Sequence, residues 1–263
     1  MKTIHCVAAV AIAGLLLLTG CGIRNQALSP KNERTKTFAQ SAQLQDGVTV
    51  MEAGTSVGDM TVGYGSNQAV ELQANVKANH GISVSDSNEL LDLTDFVLSQ
   101  AGGKLTVAVQ NRKTHTDMWK WIKANRPNTD YSVDLQLIVP QTLHVFRLNT
   151  KVGDIRTEAL SGVVNAQADV GDVDVENSVF SGNSVLQARV GDVDCGFMAA
   201  LAGNGTLKLR SDVGDVKIRT QDGTLQSRNE TTTVTGAALS GTLLPGLSLD
   251  ASSRVGDVSV SKY

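Results

Sequence analysis

The chain has 263 residues, of which 41% are hydrophobic and 19% are charged, and this balance excludes disorder over most of its length. Aromatic residues make up only 4%, so we expect a core built mainly from Val, Leu, Ile and Ala. The net charge is -3 and no run of Lys or Arg occurs, which argues against nucleic acid as a partner.

The first 22 residues, "MKTIHCVAAVAIAGLLLLTGCG", have the three-part layout of an export signal. A positive charge at Lys2 is followed by an apolar run at 7–18 and by small residues before a cysteine. The run is shorter than the about 20 apolar residues that a membrane-spanning helix needs. Its end, Leu18-Thr19-Gly20-Cys21, resembles the lipobox of bacterial lipoproteins, in which the signal is cut before the cysteine and the thiol is diacylglyceryl-modified.

This resemblance implies a signal peptide at 1–20 and a mature chain that begins at a lipidated Cys21. Several acyl chains on one residue exceed the two signals needed for stable anchoring, so the chain should stay on a membrane of the bacterial cell envelope. Position 22 lacks the aspartate that retains lipoproteins at the inner membrane, which indicates the outer membrane if the source is Gram-negative. An ordinary secretory signal and an uncleaved anchor are the alternatives.

Cysteine use then leaves one thiol in the mature chain. Cys6 leaves with the signal and Cys21 carries lipid, so Cys195 has no partner for an internal disulfide. Cys195 has the same strand parity as Val193, which predicts a buried and unreactive side chain.

Residues 21–45 are predicted to form the lipidated N-terminus and a polar tether. They show no sustained hydrophobic period, and Ser29-Pro30 interrupts any regular element. A short helix within residues 31–43 is the alternative.

The rest of the chain is dominated by a repeated Val-Gly-Asp motif. Successive glycines of its last five copies are 18, 20, 23 and 42 residues apart, and a period near twenty predicts an array of stacked units. The widest gap predicts one unit with a degraded motif, for which Val234-Thr235-Gly236 is the candidate. The glycines of the six copies are Gly58, Gly153, Gly171, Gly191, Gly214 and Gly256.

Side-chain parity indicates what the motif does. In "VVNAQADVGDVDV", the apolar residues before Gly171 share one face up to Val170, but those after it, Val173 and Val175, are one step out of phase. A strand can keep its apolar face inward through such a shift only by bulging or turning a corner, which glycine permits. Each repeat therefore reads as strand, Gly-Asp corner, strand and Gly turn.

These units predict an all-β fold of β-solenoid (β-helix) type, built from Gly-Asp-cornered rungs. We place about five to six rungs at 151–263 and an N-terminal β region at 46–150 that caps and extends them.

At this point the chain resembles a known family. The segment "YSVDLQLIVPQTLHVFRLNTKVGDIRTEALSGVVNAQADVGDVDVE", residues 131–176, is similar to the bacterial putative-adhesin family of unknown function. That family has an alternating strand ending in Val-Pro, then a strand, a Gly-Asp corner, a Ser-Gly turn and further Gly-Asp rungs. The resemblance covers roughly residues 45–263. It implies a β-solenoid-like fold on the bacterial envelope with an inferred role in adhesion and no defined catalytic residues to carry over, and in some relatives a role in sensing envelope stress.

Residues 111–130 are inserted relative to the family pattern, and they hold Trp119 and Trp121 between lysines. One hypothesis is an exposed tip that contacts a headgroup layer, a glycan or a protein partner. The other, which we favour because stacked arrays need covered ends, is a loop or short helix whose Met118, Trp119 or Ile122 covers an open end of the solenoid. The nearby His115 has no metal-ligand companions and is predicted to be structural or solvated.

The repeat also lines up carboxylates at equivalent corners. A line of like charges could be relieved by calcium, since carboxylate oxygens suit that ion. The alternative, which we favour, is that each Asp accepts backbone N–H bonds at the corner. We therefore predict no metal site and no cofactor, with calcium as the alternative, at Asp154, Asp172, Asp192, Asp215 and Asp257.

No phosphate-binding loop or zinc-protease motif occurs in the sequence. The prediction is a non-catalytic cell-envelope lipoprotein whose adhesin-like domain binds or organises envelope or surface components. Its partners would be the membrane, through lipid, and an envelope glycan or protein. An envelope-stress sensor and a glycan-active β-helix enzyme are the competing hypotheses.

Overall fold

The computed structural model describes residues 30–262 except 81–82, 201–204, 221–224, 233–235 and 244–245. The predicted signal peptide, Cys21 and the first part of the tether lie outside the described residues. The described chain forms 19 strands and two α-helices, which confirms the all-β class. Within these residues, no helix is long and apolar enough to cross a membrane.

The strands in chain order are β1 (Arg34–Gln43), β2 (Val50–Val57), β3 (Met60–Tyr64), β4 (Ala69–Asn79), β5 (Thr94–Ala101), β6 (Lys104–Asn111), β7 (Asp130–Val139), β8 (Val145–Val152), β9 (Ile155–Glu158), β10 (Ser161–Val170), β11 (Val173–Phe180), β12 (Asn183–Val190), β13 (Val193–Ala200), β14 (Thr206–Val213), β15 (Val216–Thr220), β16 (Leu225–Thr232), β17 (Ala237–Leu243), β18 (Leu247–Val255) and β19 (Val258–Lys262). The helices are α1 (Val84–Leu93) and α2 (Met118–Asn125), and a short 3-10 turn occupies Pro30–Asn32.

Hydrogen bonding divides the strands into two series, which we name sheet A and sheet B. Sheet A runs β1-β4-β7-β3-β9-β11-β13-β15-β19. Sheet B runs β5-β6-β2-β8-β10-β12-β14-β18-β17-β16. The start of β10 also pairs with β11 and so joins the two series. Buried side chains from both series form one hydrophobic core.

Six units repeat along the stack, and each is a sheet B strand, a Gly-Asp corner and a sheet A strand. The units are β2-β3, β8-β9, β10-β11, β12-β13, β14-β15 and β18-β19. Successive units pair in parallel and in register, so that the valine before each corner lies opposite the valine of the next unit. Equivalent residues of the motif therefore form rows along the stack.

The corner glycines adopt a backbone conformation that other residues rarely tolerate. Their φ angles lie between +128° and +144°. A Cβ atom added at Gly191 would also overlap the carbonyl oxygen of Gly171 in the preceding unit. Glycine is thus required both for the turn and for the close approach of neighbouring units, and the parity shift in the sequence occurs at this turn.

One part of the parity argument is wrong. It placed Val170 and the equivalent valines on the inward face, whereas Val170 is 46% exposed and its equivalent Val255 is 50% exposed. An inward valine requires a strand that stays straight up to the glycine. The strand instead ends at the valine, where the chain turns from sheet B to sheet A, so the valine side chain lies at the outer edge of the corner.

The N-terminal region both belongs to the stack and extends it. Its β2-β3 unit pairs directly with β8-β9, while β7, β4 and β1 continue sheet A and β6 and β5 continue sheet B. The boundary predicted between residues 150 and 151 falls inside β8, which pairs with β2 on one side and β10 on the other. The sequence did not predict α1, which packs near β4 and β1.

The prediction of a tether up to residue 45 is wrong for its second half. β1 pairs antiparallel with β4 from Arg34 to Gln43, and its side chains alternate between half-buried and exposed. Phe38 is its one large apolar residue, and its ring centroid lies 5.2 Å from that of Phe96. Backbone pairing holds this segment in the sheet, which a search for apolar periodicity does not detect.

The predicted unit with a degraded motif is also contradicted. β14 pairs directly with β18, and β15 pairs directly with β19, so no unit separates them. The intervening residues contribute β16 and β17, which pair antiparallel beside β18 at the end of sheet B. Val234 and Thr235 lie outside the described residues, and Gly236 directly precedes β17.

Candidate functional site

The corner aspartates form a continuous hydrogen-bonded row. In each of the first five units, the Oδ1 atom of the corner aspartate accepts a hydrogen bond from the backbone N–H of the corner aspartate in the next unit. Asp154 N–H donates to Asp59 at 2.9 Å, and the same bond repeats at 2.8 to 2.9 Å for Asp172, Asp192, Asp215 and Asp257. The expected backbone bond is present, but its donor belongs to the neighbouring unit rather than to the same corner.

Cations lie beside this row of like charges. Arg156 Nη2 lies 3.2 Å from Asp154 Oδ2, and Lys217 Nζ lies 2.8 Å from Asp192 Oδ2. Among the described residues, no group of three or more His, Cys, Asp or Glu side chains could hold a metal ion. The row therefore joins adjacent units through amide and ammonium partners.

Cys195 lies in the core of the same stack. It has no exposed surface, and burial raises the pKa of its thiol above the ordinary range. A thiol with so little thiolate is a poor nucleophile. The predicted buried position of Cys195 is confirmed.

A second charged group lies on the outer face of sheet A, where Arg219 and Glu176, which the sequence analysis did not single out, join Asp174 and Asp194. Arg219 donates from Nε to Asp194 Oδ1 at 2.9 Å and from Nη2 to Glu176. The hydrogen bond to Glu176 is the main cause that raises the pKa of Arg219. Strand parity places these side chains outward, but only the register between β11, β13 and β15 brings residues so distant in sequence together.

Asp174 is the least satisfied member of this group. Its Oδ1 atom is buried without a hydrogen-bond partner, and the nearest Arg219 nitrogen is 3.9 Å away. Burial raises the pKa of the Asp174 carboxyl, and the Glu176 and Asp194 carboxylates raise it further. The folded state therefore disfavours the ionised form of Asp174 at neutral pH.

We expect Asp174→Asn to raise the thermal unfolding midpoint at pH 7 by about 1 to 2 °C. Because the folded-state pKa lies above the unfolded one, stability is lost as the pH rises through it, and the variant escapes that loss. At about pH 3, Asp174 is protonated in both the folded and the unfolded wild type, so the higher midpoint of the variant should disappear. Thermal melts of both proteins at the two pH values measure this difference.

Asp194→Asn is the matched control, because it removes a carboxylate that Arg219 already pairs. It should lower the midpoint at pH 7. A midpoint for Asp174→Asn below that of the wild type at pH 7 would contradict the electrostatic assignment.

The inserted residues 111–130 contain helix α2. Asp117 caps the helix by accepting a hydrogen bond from Lys120 N–H at 2.8 Å. Met118 and Ile122 are buried in the core. Trp119 is half-buried with its ring edge-on to Tyr131 at a centroid distance of 5.7 Å. Its Nε1 atom is buried and has no hydrogen-bond partner.

A pocket of about 490 Å³ lies between α2 and strands β2, β6 and β8. Trp119 is part of its lining, whereas Trp121, the other half-buried tryptophan, is not. The structure therefore separates two residues that the sequence had grouped as one contact site. The polar and charged residues that line the pocket are Thr55, Ser56, Asp117, Lys120, Lys123, Asn149 and Lys151.

Comparisons with known proteins find a distant structural likeness. No protein-family model matches the chain, and no curated protein matches it. Among solved structures, the chain is similar to a crystal structure described as a putative adhesin from Bacteroides fragilis, with 14% sequence identity and a TM-score of 0.36. The likeness covers 86% of this chain and 97% of that one. A likeness this distant establishes neither membership in a family nor a function.

Proposed function

We propose that this chain is a non-catalytic lipoprotein of the cell envelope, anchored through Cys21, whose folded part binds or organises envelope or surface components in the manner of an adhesin. In this proposal the six corner-linked units are the coils of a β-solenoid. The observation that carries it is the in-register parallel stacking of those units. Such a stack presents long outer faces on one hydrophobic core, which suits a rigid binding module.

The proposal assigns no catalytic residue and no cofactor. The corner aspartates are the carboxylates that a reaction or a metal ion could use. However, Asp154, Asp172 and Asp192 already accept backbone N–H bonds from the next unit. A calcium ion on this row would have to compete with those amides and with Lys217. The repeated geometry also gives neighbouring aspartates the same environment, which favours an architectural role over a single reactive site.

The anchor is tested by following fatty acid incorporation in the cells that produce the protein. We expect an alkyne-labelled fatty acid to label the wild type and to label Cys21→Ser not at all, because the thiol is the only acceptor that the lipobox resemblance implies. Cys195→Ser is the matched control, since Cys195 is buried, and it should keep the label. Equal labelling of Cys21→Ser and wild type, or an unlabelled wild type, would contradict the anchor.

The binding role has a separate test. The purified chain should bind cell-envelope material in a saturable manner, and this experiment does not depend on how the chain is anchored.

A further inference from the structure

The pocket beside α2 carries uncompensated positive charge. Lys120, Lys123 and Lys151 line it, and none of them forms an ion pair with a described residue. The β8–β10 register places Asp169 beside Lys151, but Asp169 forms its ion pair with Arg189, at 3.1 Å. The pocket therefore concentrates three ammonium groups on a chain whose net charge is -3.

The one carboxylate in the lining does not balance them. Asp117 precedes the first turn of α2, and its Oδ1 atom accepts the Lys120 N–H at 2.8 Å. One charge against three leaves a net charge of about +2 around the pocket at neutral pH. An anion in the pocket would lie within a Debye length of these ammonium groups. Salt would therefore screen their attraction only weakly.

We propose that this pocket binds a phosphate group carried on a small polar organic moiety. The inference rests on the proposed binding function and names the ligand chemistry of one site. A phosphate ester carries up to two negative charges and several acceptor oxygens, so it matches the lining better than a single carboxylate does. Lysine binds phosphate as a point charge on a flexible stem, which suits three side chains that come from a helix and a strand.

Neutral groups of the pocket supply hydrogen bonds. Ser56 and Asn149 belong to the lining, and Asn149 donates to the Ala53 carbonyl at 3.4 Å. The side chain of Asn149 lies directly against Gly54, where an added Cβ would come within 2.9 Å of its Nδ2 atom. The glycine thus makes room for an amide beside the lysines.

Trp119 gives the pocket an aromatic side. Aromatic rings suit boundaries that are part apolar and part wet, and so can contact the carbon skeleton of a sugar or glycerol unit while the lysines hold the phosphate. The volume of about 490 Å³ lies in the range of small-ligand sites. A soluble sugar phosphate and an anionic lipid headgroup share this chemistry, and the experiment must separate these two sources.

The test uses tryptophan emission of the full chain in a non-ionic detergent. The chain has two tryptophans, so a Trp121→Phe background leaves Trp119 as the only reporter. Inorganic phosphate and glycerol 3-phosphate are titrated at constant ionic strength, with chloride as the balancing anion. We expect a saturable change in emission with both phosphates and a stronger response to glycerol 3-phosphate.

Charge variants then locate the effect. In the same background, Lys120→Gln, Lys123→Gln and Lys151→Gln together should weaken the apparent affinity at least about tenfold, because each exposed charge contributes modestly and three are removed. The matched control replaces three exposed lysines that form no ion pair with a described residue, Lys31→Gln, Lys77→Gln and Lys208→Gln. This control changes the net charge equally and should leave the affinity within about twofold, since these lysines lie outside the pocket.

Vesicles separate the two sources. The full chain is placed in phosphatidylcholine vesicles with or without phosphatidylglycerol. If a headgroup fills the pocket, the anionic lipid should change the emission and suppress the response to glycerol 3-phosphate. If the ligand is soluble, the response should be the same in both vesicles. Either result supports a phosphate site.

The proposal is overturned if neither phosphate gives a saturable response in detergent, or if the pocket variant responds as the control does. If either outcome is seen while binding to envelope material is intact, the proposal of a phosphate site is rejected and the proposed function still stands. A phosphate response without envelope binding would count against the proposed function instead.

Discussion

Replacing Gly191 with alanine is expected to destabilise the fold by about 4 kcal/mol or more. The residue has a φ of +144°, which alone strains any side chain. The added Cβ would overlap the Gly171 carbonyl oxygen and lie 2.8 Å from Asp172 Oδ1. Because these atoms belong to the preceding unit, the backbone of one unit would have to move away from the next. The midpoint and slope of urea unfolding measure the effect.

Gly102→Ala is the matched control. Gly102 also has a positive φ, of +58°, but no atom lies within 4 Å of an added Cβ. Its cost should be about 1 kcal/mol, from backbone strain alone. Equal costs for the two variants would show that the left-handed backbone, and not the contact between units, explains the requirement for glycine at the corner.

The second large effect is expected from removing one carboxylate of the corner row. Asp192 accepts the Asp215 N–H at 2.8 Å and the Lys217 ammonium at 2.8 Å. We expect Asp192→Ala to cost about 1 to 2 kcal/mol at pH 7, because the bonds are charge-assisted but partly exposed. Asp192→Asn can keep the Oδ1 acceptor for the amide while it loses the charge, and should cost less than half as much.

The pH dependence of this effect has a definite sign. Burial works to raise the pKa of Asp192, but the bonds from Lys217 and the Asp215 amide outweigh it, so the pKa is lowered. The stabilisation is therefore present above the unfolded-state pKa and is lost as the pH falls through the folded-state value. The difference between wild type and Asp192→Ala should shrink between about pH 5 and pH 3.

Asp169→Ala is the control for this series, because Asp169 forms only an exposed ion pair with Arg189. It should cost less than about 0.5 kcal/mol. If Asp192→Asn destabilises as much as Asp192→Ala at pH 7, charge pairing and not the amide bond between units stabilises the row.

Of the fold, the sequence predicts best the all-β class and the positions of the Gly-Asp turns. Val-Gly-Asp marks each corner, because a turn with positive φ and a close neighbour leaves glycine as the suitable residue at that point. Strand parity on either side of Gly171 located the turn, but not the exposure of Val170, which depends on where the strand ends. Elements outside the repeat were harder to predict from the sequence. β1, for example, is polar and pairs with β4, which is distant in sequence.

Prediction of the candidate site depended still more on knowledge of the tertiary structure. Trp119 was identified from composition, but Lys151 joins it only because β8 lies near α2 in space. Likewise, Arg219 forms an ion pair with Glu176 because the units stack. The sequence spacing does not predict this pair, since the repeats differ in length and the register between strands is therefore not known in advance. The sequence thus indicated the type of residue to examine, and the register between units decided which residues meet.

Whether the folded part is a binding module can be measured by binding of the purified full chain to isolated envelope material from which lipids have been extracted. Lipid extraction removes the contribution of the acyl anchor, so the outer faces of the folded part are tested on their own. We predict saturable binding that excess unlabelled chain displaces. Binding that rises linearly with concentration, or that unlabelled chain does not displace, would contradict the proposal that this protein is a binding module of the envelope.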